Sequence, residues 1–316
     1  MFRLKSQHVP LLATAALLLA LYAAAALRYD GFFSWYQFKS LLNDNASLGL
    51  ASIGMTFVIL SGGIDLSVGA VVALASMLLA KMLETWNLQI WVAIPLVLFL
   101  GTAFGGSMGL LIQRFRLPSF LVTLAGMFLA RGVALALTAD KRINLSGNAQ
   151  VKTLVDLSLA GLKLPTLVLL LAIVAAMIIA SYSRFGRAVY AMGGSESSAM
   201  LMGLPVGRTR IRIYALSGLC AALGGIVHAI GFQSGDASVG TLMELDAIAA
   251  VVIGGTLLTG GVGHPAGTLL GVLILGIITT IPSYQENLNS WWTKIAIGGL
   301  LLAFIVLQRL LQVVRR

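Results

Sequence analysis

The sequence predicts an all-α integral membrane protein of about ten transmembrane helices, some interrupted, with both termini in the cytoplasm. Three observations carry that expectation. The chain is 59% hydrophobic and only 10% charged, whereas soluble domains carry roughly a quarter charged residues. Its apolar residues come in long continuous runs, unlike the short alternating segments of a β-barrel, and a bilayer-crossing helix needs roughly 20 of them. The charges are also sorted by side. Arg3, Lys5, Arg114, Arg116, Arg184, Arg187, Arg208, Arg210, Arg212, Arg309, Arg315 and Arg316 fall in alternate connections, where Glu196 is the one acid. The opposite connections mix Arg28, Lys39, Lys81, Lys141, Arg142, Lys152 and Lys163 with Asp30, Asp44, Glu84, Asp140, Asp156, Asp236 and Glu286. That asymmetry is the positive-inside pattern. It accounts for the net charge of +10 as topology and leaves nothing that calls for nucleic acid.

The elements follow in order within a single membrane domain, 1–316. Residues 1–27 begin like a signal peptide, but the length of the apolar run (9–27) and the aromatic-rich stretch after it mark an uncleaved first helix. "GFFSWYQFKSLLNDN" (31–45) suits a helix lying in the outer interfacial belt, where amphipathic rings settle at the headgroups. Apolar runs at 46–60 and 67–84 flank "GGIDLSVGA" (62–70). Two more, at 90–112 and 118–138, enclose "GTAFGGSMG" (101–109), in which Gly106 and Gly109 share a helix face and let helices approach closely. Arg131, in the outer third of the second run, could snorkel, pair with an acid or line a polar cavity.

The outward connection 139–163 is expected to hold a short surface helix near 149–159. After a run at 164–181 comes the basic inward connection 182–212. There Gly193 and Gly194 break the chain, Ser195 caps a short helix "ESSAMLM", and Gly203 with Pro205 ends it. A run at 213–231 holds the single cysteine, Cys220, so no disulfide framework exists. The runs 245–259 and 265–282 flank "GGVGHPAGT" (260–268), and 291–308 opens with Trp291, Trp292 and Lys294, an interfacial anchor.

The two glycine-rich interruptions repay attention together. Each places a Gly–Gly pair (Gly62–Gly63, Gly260–Gly261) after an apolar run of about 15 residues, which reaches only about 22 Å against a core of roughly 30 Å. Paired breaks of this kind point to a substrate path at membrane depth. The span count gives them the same orientation, which does not support an inverted repeat. Asp65 and Ser67 in the first and His264 in the second are the polar candidates. An acid in an apolar setting has two readings, proton carrier or structural cap. Asp65 precedes an apolar helix and has no chain of acids or histidines across the spans, which favours capping. Glu244 and Asp246 open the next-to-last pair of runs and read as helix-start acids; His264 reads as a turn residue, and His8 and His228 stand alone. No His, Cys or carboxylate trio has metal-ligand spacing. No GxxxxGKS/T or HExxH occurs, so the chain neither cradles nucleotide phosphates nor carries that zinc-hydrolase constellation.

"GMTFVILSGGIDLSVGAVVAL", "PSFLVTLAGMFLARG", "FGRAVYAMGGSESSAMLMGLPVGRTRIRIYALSG" and "ELDAIAAVVIGGTLLTGGVGHPAGTLLG" together resemble the membrane permeases of bacterial ribose-type sugar ABC importers. The details around 44–69, 123–133 and 290–298 look most like the galactofuranose importer permease. The resemblance implies a transport subunit and not an enzyme, with no cofactor of its own, ATP and Mg being bound by a partner ATPase. It implies a second permease chain, identical or related, a periplasmic sugar-binding protein, and location in the bacterial inner membrane. It also maps a coupling helix onto Gly193, Gly194, Ser195, Glu196, Ala199, Met200 and Gly203. The rival expectation is an ion-coupled sugar carrier, in which Asp65 or Asp246 titrates during transport.

Overall fold

The computed structural model describes residues 9–137, 142–284 and 290–313. Arg3, Lys5, His8, Asp140, Lys141, Glu286, Arg315 and Arg316, which enter the sequence argument, lie outside them. The described chain is helical almost throughout. The helices are α1 (Val9–Arg28), α2 (Trp35–Asp44), α3 (Ala46–Leu60), α4 (Val68–Glu84), α5 (Ile90–Phe115), α6 (Ser119–Ala136), α7 (Ala149–Asp156), α8 (Leu164–Tyr182), α9 (Arg184–Gly194), α10 (Glu196–Leu201), α11 (Val206–Gly231), α12 (Met243–Ile253), α13 (Pro265–Thr280) and α14 (Ser290–Val313). Two-residue strands β1 (Ile143–Asn144), β2 (Ser158–Leu159), β3 (Leu162–Lys163) and β4 (Ser234–Gly235) pair antiparallel as β1–β4 and β2–β3.

Every apolar run named above holds a helix, but length separates them. Among the described residues, six helices are long and apolar enough to cross a membrane: those at Leu11–Arg28, Ile90–Phe115, Ser119–Ala136, Leu164–Tyr182, Val206–Gly231 and Pro265–Tyr284. The stretches Ala46–Leu60 and Trp291–Val306 are apolar but shorter, and α12 has 11 residues. An 11-residue helix reaches only about 16 Å. The run at 245–259 is therefore a half-length helix followed by turns, because Gly254, Gly255, Gly260 and Gly261 stop it early.

The core is built around α11, which packs on α5, α3 and α4. Small residues bring these helices together where lipid supplies no hydrophobic drive between them. Gly101, Gly105 and Gly109 form a stripe on α5 facing α11: a Cβ on Gly105 would meet the Tyr214 carbonyl carbon at 3.0 Å, and one on Gly109 the Ile211 Cα at 2.9 Å. Gly106 faces elsewhere, with only the Ala215 Cβ at 3.6 Å. The close-packing face thus runs through positions 101, 105 and 109, and Gly106 is not on it. Cys220 is buried in α11, where its Cβ would lie 3.0 Å from a Cβ on Gly54 of α3.

The connection before α8 holds its expected short helix. α7 is capped by Asn148, whose Oδ1 accepts from the amides of Gln150 and Val151, and Val151 is buried beneath it. α2 is capped by Ser34, which accepts from Gln37 N. Its Trp35 and Tyr36, with Phe33, are exposed, as lipid anchoring requires.

Candidate functional site at the two helix breaks

The first break, 61–67, lies between α3 and α4. The amides of Gly62, Gly63, Ile64, Leu66 and Ser67 each find a partner, as irregular backbone in an apolar setting demands. Gly62 N donates to Ile59 O and Gly63 N to Val58 O. Ile64 N donates to Ser119 Oγ at 3.2 Å and Leu66 N to Thr123 Oγ1 at 3.1 Å, both at the start of α6. Ser67 N donates to Asp65 Oδ1 at 2.9 Å.

Asp65 is 1% exposed. Beyond the Ser67 amide, its Oδ1 accepts from Ser67 Oγ at 2.7 Å, and its Oδ2 accepts from Ser217 Oγ of α11 at 2.7 Å. The carboxylate thus closes a turn and ties the break to the central helix. It differs from the cap expected of it in one respect. The N-cap position of α4 is Ser67, without a side-chain cap bond, and Asp65 serves the amide of that residue instead of those in the first turn. Asp65 and Ser67 both lie in packed interior, not on an open surface.

The second break, 254–264, lies between α12 and α13. Gly260 and Gly261 have φ of 84° and 76°, a left-handed conformation that glycine adopts without steric cost. Leu257 N donates to Val262 O, and Gly260 N to Leu257 O, both at 2.9 Å. His264 caps α13: its Nδ1 accepts from Ala266 N at 3.2 Å, and its Nε2 lies 3.3 Å from Ser181 Oγ on α8. The turn role expected for His264 therefore includes a tie to another helix.

The two breaks meet. Gly261 N donates to Leu60 O at 2.9 Å, and a Cβ on Gly260 would stand 2.8 Å from Gly62 N. The third Gly–Gly pair joins them, since the same Cβ would lie 3.0 Å from Gly193 Cα, and one on Gly261 would lie 2.9 Å from Gly194 N. Sequence reading paired the two breaks by their pattern and treated Gly193–Gly194 as a separate feature. Only the fold shows that they converge, because sequence spacing carries no signal for it. Beside the second break opens a cavity of about 550 Å³, with Ser181, Arg187, Tyr190, Gly261 and His264 among its lining residues.

Gly193 and Gly194 do not break the chain as expected. They close α9, an 11-residue helix that begins at a Ser183 cap and was not anticipated. The break falls one residue later, at Ser195, whose Oγ accepts from Ser198 N to start α10. Gly203, with φ of 76°, ends α10. Ala199 is 0% exposed, whereas Met200, Leu201 and Met202 are 57%, 90% and 68% exposed. The surface of this short helix is thus apolar at Met200, Leu201 and Met202, with Ala199 turned into the protein. An ion pair from Arg210 of α11 to Glu196 (2.5 Å) and a bond from Arg210 Nη1 to Gln113 Oε1 (2.8 Å) root α10 on the long helices.

The remaining candidates are structural ties. Glu244 and Asp246 do lie in the first turn of α12, but Asp246 also pairs with Lys294 of α14 at 3.1 Å. Arg131 donates through Nη1 to the carbonyls of Ala237 and Val239, 2.6 Å each. It clamps the α11–α12 connection from α6. Among the described residues no group of His, Cys, Asp and Glu is placed to hold a metal.

Comparison with known proteins gives the family. Residues 38–305 match the family described as branched-chain amino acid transport system / permease component. The inner membrane ABC transporter permease protein YjfF of Escherichia coli (strain K12) is 47% identical over 97% of this chain and 94% of its own. The fructose import permease protein FruG of Bifidobacterium longum (strain NCC 2705) is 36% identical, covering 99% of this chain and 94% of its own. The ribose import permease protein RbsC of Escherichia coli (strain K12) is 37% identical, covering 83% and 82%. No solved structure matches significantly. The chain therefore belongs to this permease family, among the membrane subunits of ribose-type sugar ABC importers, and is a multi-pass transport protein and not an enzyme.

Proposed function

We propose that the chain carries a monosaccharide, galactofuranose by its motif resemblance, across the bacterial inner membrane by alternating access driven by a separate ATPase. One observation carries the reading: α10 presents an exposed apolar surface at Met200, Leu201 and Met202 on a base anchored by Glu196–Arg210. A surface of Met and Leu, backed by a fixed helix, is built for adaptable docking and not for solvent. ATP and Mg belong to the docked ATPase. ATP binding closes its dimer and moves α10, and the permease pair, identical or related chains, switches between inward- and outward-open states. The periplasmic sugar-binding protein docks on the 139–163 side, and both termini face the cytoplasm. The remaining apolar helices complete about ten membrane segments with the two breaks between half-length pieces. Sugar leaves past the second break through the cavity lined by Ser181, Tyr190 and His264, hydroxyl and imidazole groups suited to a neutral polyol.

Reconstitution in proteoliposomes with the ATPase and the binding protein tests this. Uptake of a labelled sugar from a panel of pentoses and hexoses, in furanose and pyranose forms, is expected to require hydrolysable ATP. Uptake that persists without the ATPase and follows a proton or sodium gradient would instead establish the ion-coupled carrier.

A further inference from the structure

We infer that Gly193 is a positioning residue that transmits movement of α10 to both helix breaks at once, through backbone contact. The inference rests on the reading of α10 as the ATPase-docking helix. Gly193 sits at the end of α9, two residues before the Ser195 cap of α10. Ser195 N donates to Ala191 O, so α10 hangs from α9 with almost no intervening chain. On the other side, a Cβ on Gly193 would overlap the carbonyl oxygen of Leu60 and the amide of Gly261, and would lie 3.0 Å from Gly261 Cα. Those two groups are the partners of the one backbone bond between the breaks, Gly261 N to Leu60 O. One turn earlier, Tyr190 on the same helix donates to Gly263 O at 2.8 Å, which keeps α9 and the second break in register.

A contact between side chains can absorb a displacement by changing rotamer. A contact between Cα and backbone cannot, so a shift of α9 at this point must displace Leu60, Gly261 or both. Gly132 of α6 supplies an internal control, since a Cβ there would meet nothing within 4 Å.

The test uses the full complex of permease, ATPase and binding protein in nanodiscs, followed by hydrogen–deuterium exchange with and without a non-hydrolysable ATP analogue. In the wild type, protection at 59–63 and 259–263 is expected to change together with that at 190–203. Gly193→Ala should retain the ATPase on purification but reduce the response at both breaks roughly tenfold, within the usual range of coupling between sites. Gly132→Ala should respond as the wild type does. Equal responses from Gly193→Ala and Gly132→Ala would overturn the inference. If Gly193→Ala does not fold, the wild-type measurement decides: a response confined to 190–203, with both breaks unchanged, overturns the coupling while leaving docking intact. Failure of the wild-type permease to retain the ATPase would overturn the docking reading, and this inference with it.

Discussion

At the scale of single residues, Asp65 shows how a carboxylate can be structural in an apolar setting. Three donors from Ser67 and Ser217 surround it. An amide of the same shape keeps the Oδ1 bonds, and the Ser217 hydroxyl can turn to accept from the new NH₂. Asp65→Asn is therefore expected to stay within about 1 kcal/mol of the wild type. Asp65→Ala strands two buried hydroxyls and an amide and should cost about 2–3 kcal/mol, read as the difference in thermal unfolding in detergent. Loss of transport in well-folded Asp65→Asn would revive the proton-carrier reading. Asp236 makes the pH-dependent counterpart in the connection between α11 and α12. Burial would raise its pKa, but the Ser238 hydroxyl and amide and the Arg142 guanidinium outweigh that and bring it from 3.8 to about 2. A lowered carboxyl stabilises the fold above its ordinary value and loses that contribution as pH falls through the folded one. The β1–β4 junction should thus hold above pH 3.8 and loosen between 3.8 and about 2, and Asp236→Asn should flatten proteolysis of that connection across that window. The acids were legible in the sequence as residues to watch. Their partners were not, because Ser217 stands 152 positions from Asp65 and nothing local marks it.

Among elements, helix positions were largely readable from runs of apolar residues, and the caps Ser34, Asn148, Ser183 and Ser195 follow the usual preference for short polar side chains. What escaped was the geometry between helices. Spacing of four along α5 is as visible in the sequence as Gly106–Gly109, yet only the facing surface of α11 tells which glycines are needed. Gly105→Ala is expected to cost about 1–3 kcal/mol by forcing α5 from α11. Gly106→Ala, in ordinary contact, should be neutral or slightly stabilising through helix propensity. Paired melting curves would separate them, and equal losses would mean that the α5–α11 stripe is not the close contact. α10 offers a second pair. Leu201→Ser removes an exposed apolar anchor and should weaken ATPase retention about tenfold, a cost near 1.4 kcal/mol. Ala199→Leu acts from beneath, lifting α10 off its bed, and should lower retention and thermal stability together.

For the whole molecule, composition and charge sorting were enough to predict a multi-pass helical protein, and the family match agrees. The number of crossings was less legible. Hydropathy counts apolar residues whether or not the backbone stays helical, so a run such as 245–259 looks like a span although its helix stops at Ile253. The positive-inside arrangement predicts that reporters fused after residue 316 and within 195–204 are active only in the cytoplasm, while one at 147 is active only in the periplasm. Any exchange of sides between these sites would redraw the topology.

The buried thiol of Cys220 gives the molecule an unfolding reporter of its own. With one cysteine in the chain, held between α11 and Gly54 of α3, an alkylating dye has nothing to modify until those two helices part. The rate at which the unaltered protein takes up such a dye is then a direct clock for opening of its central helix pair.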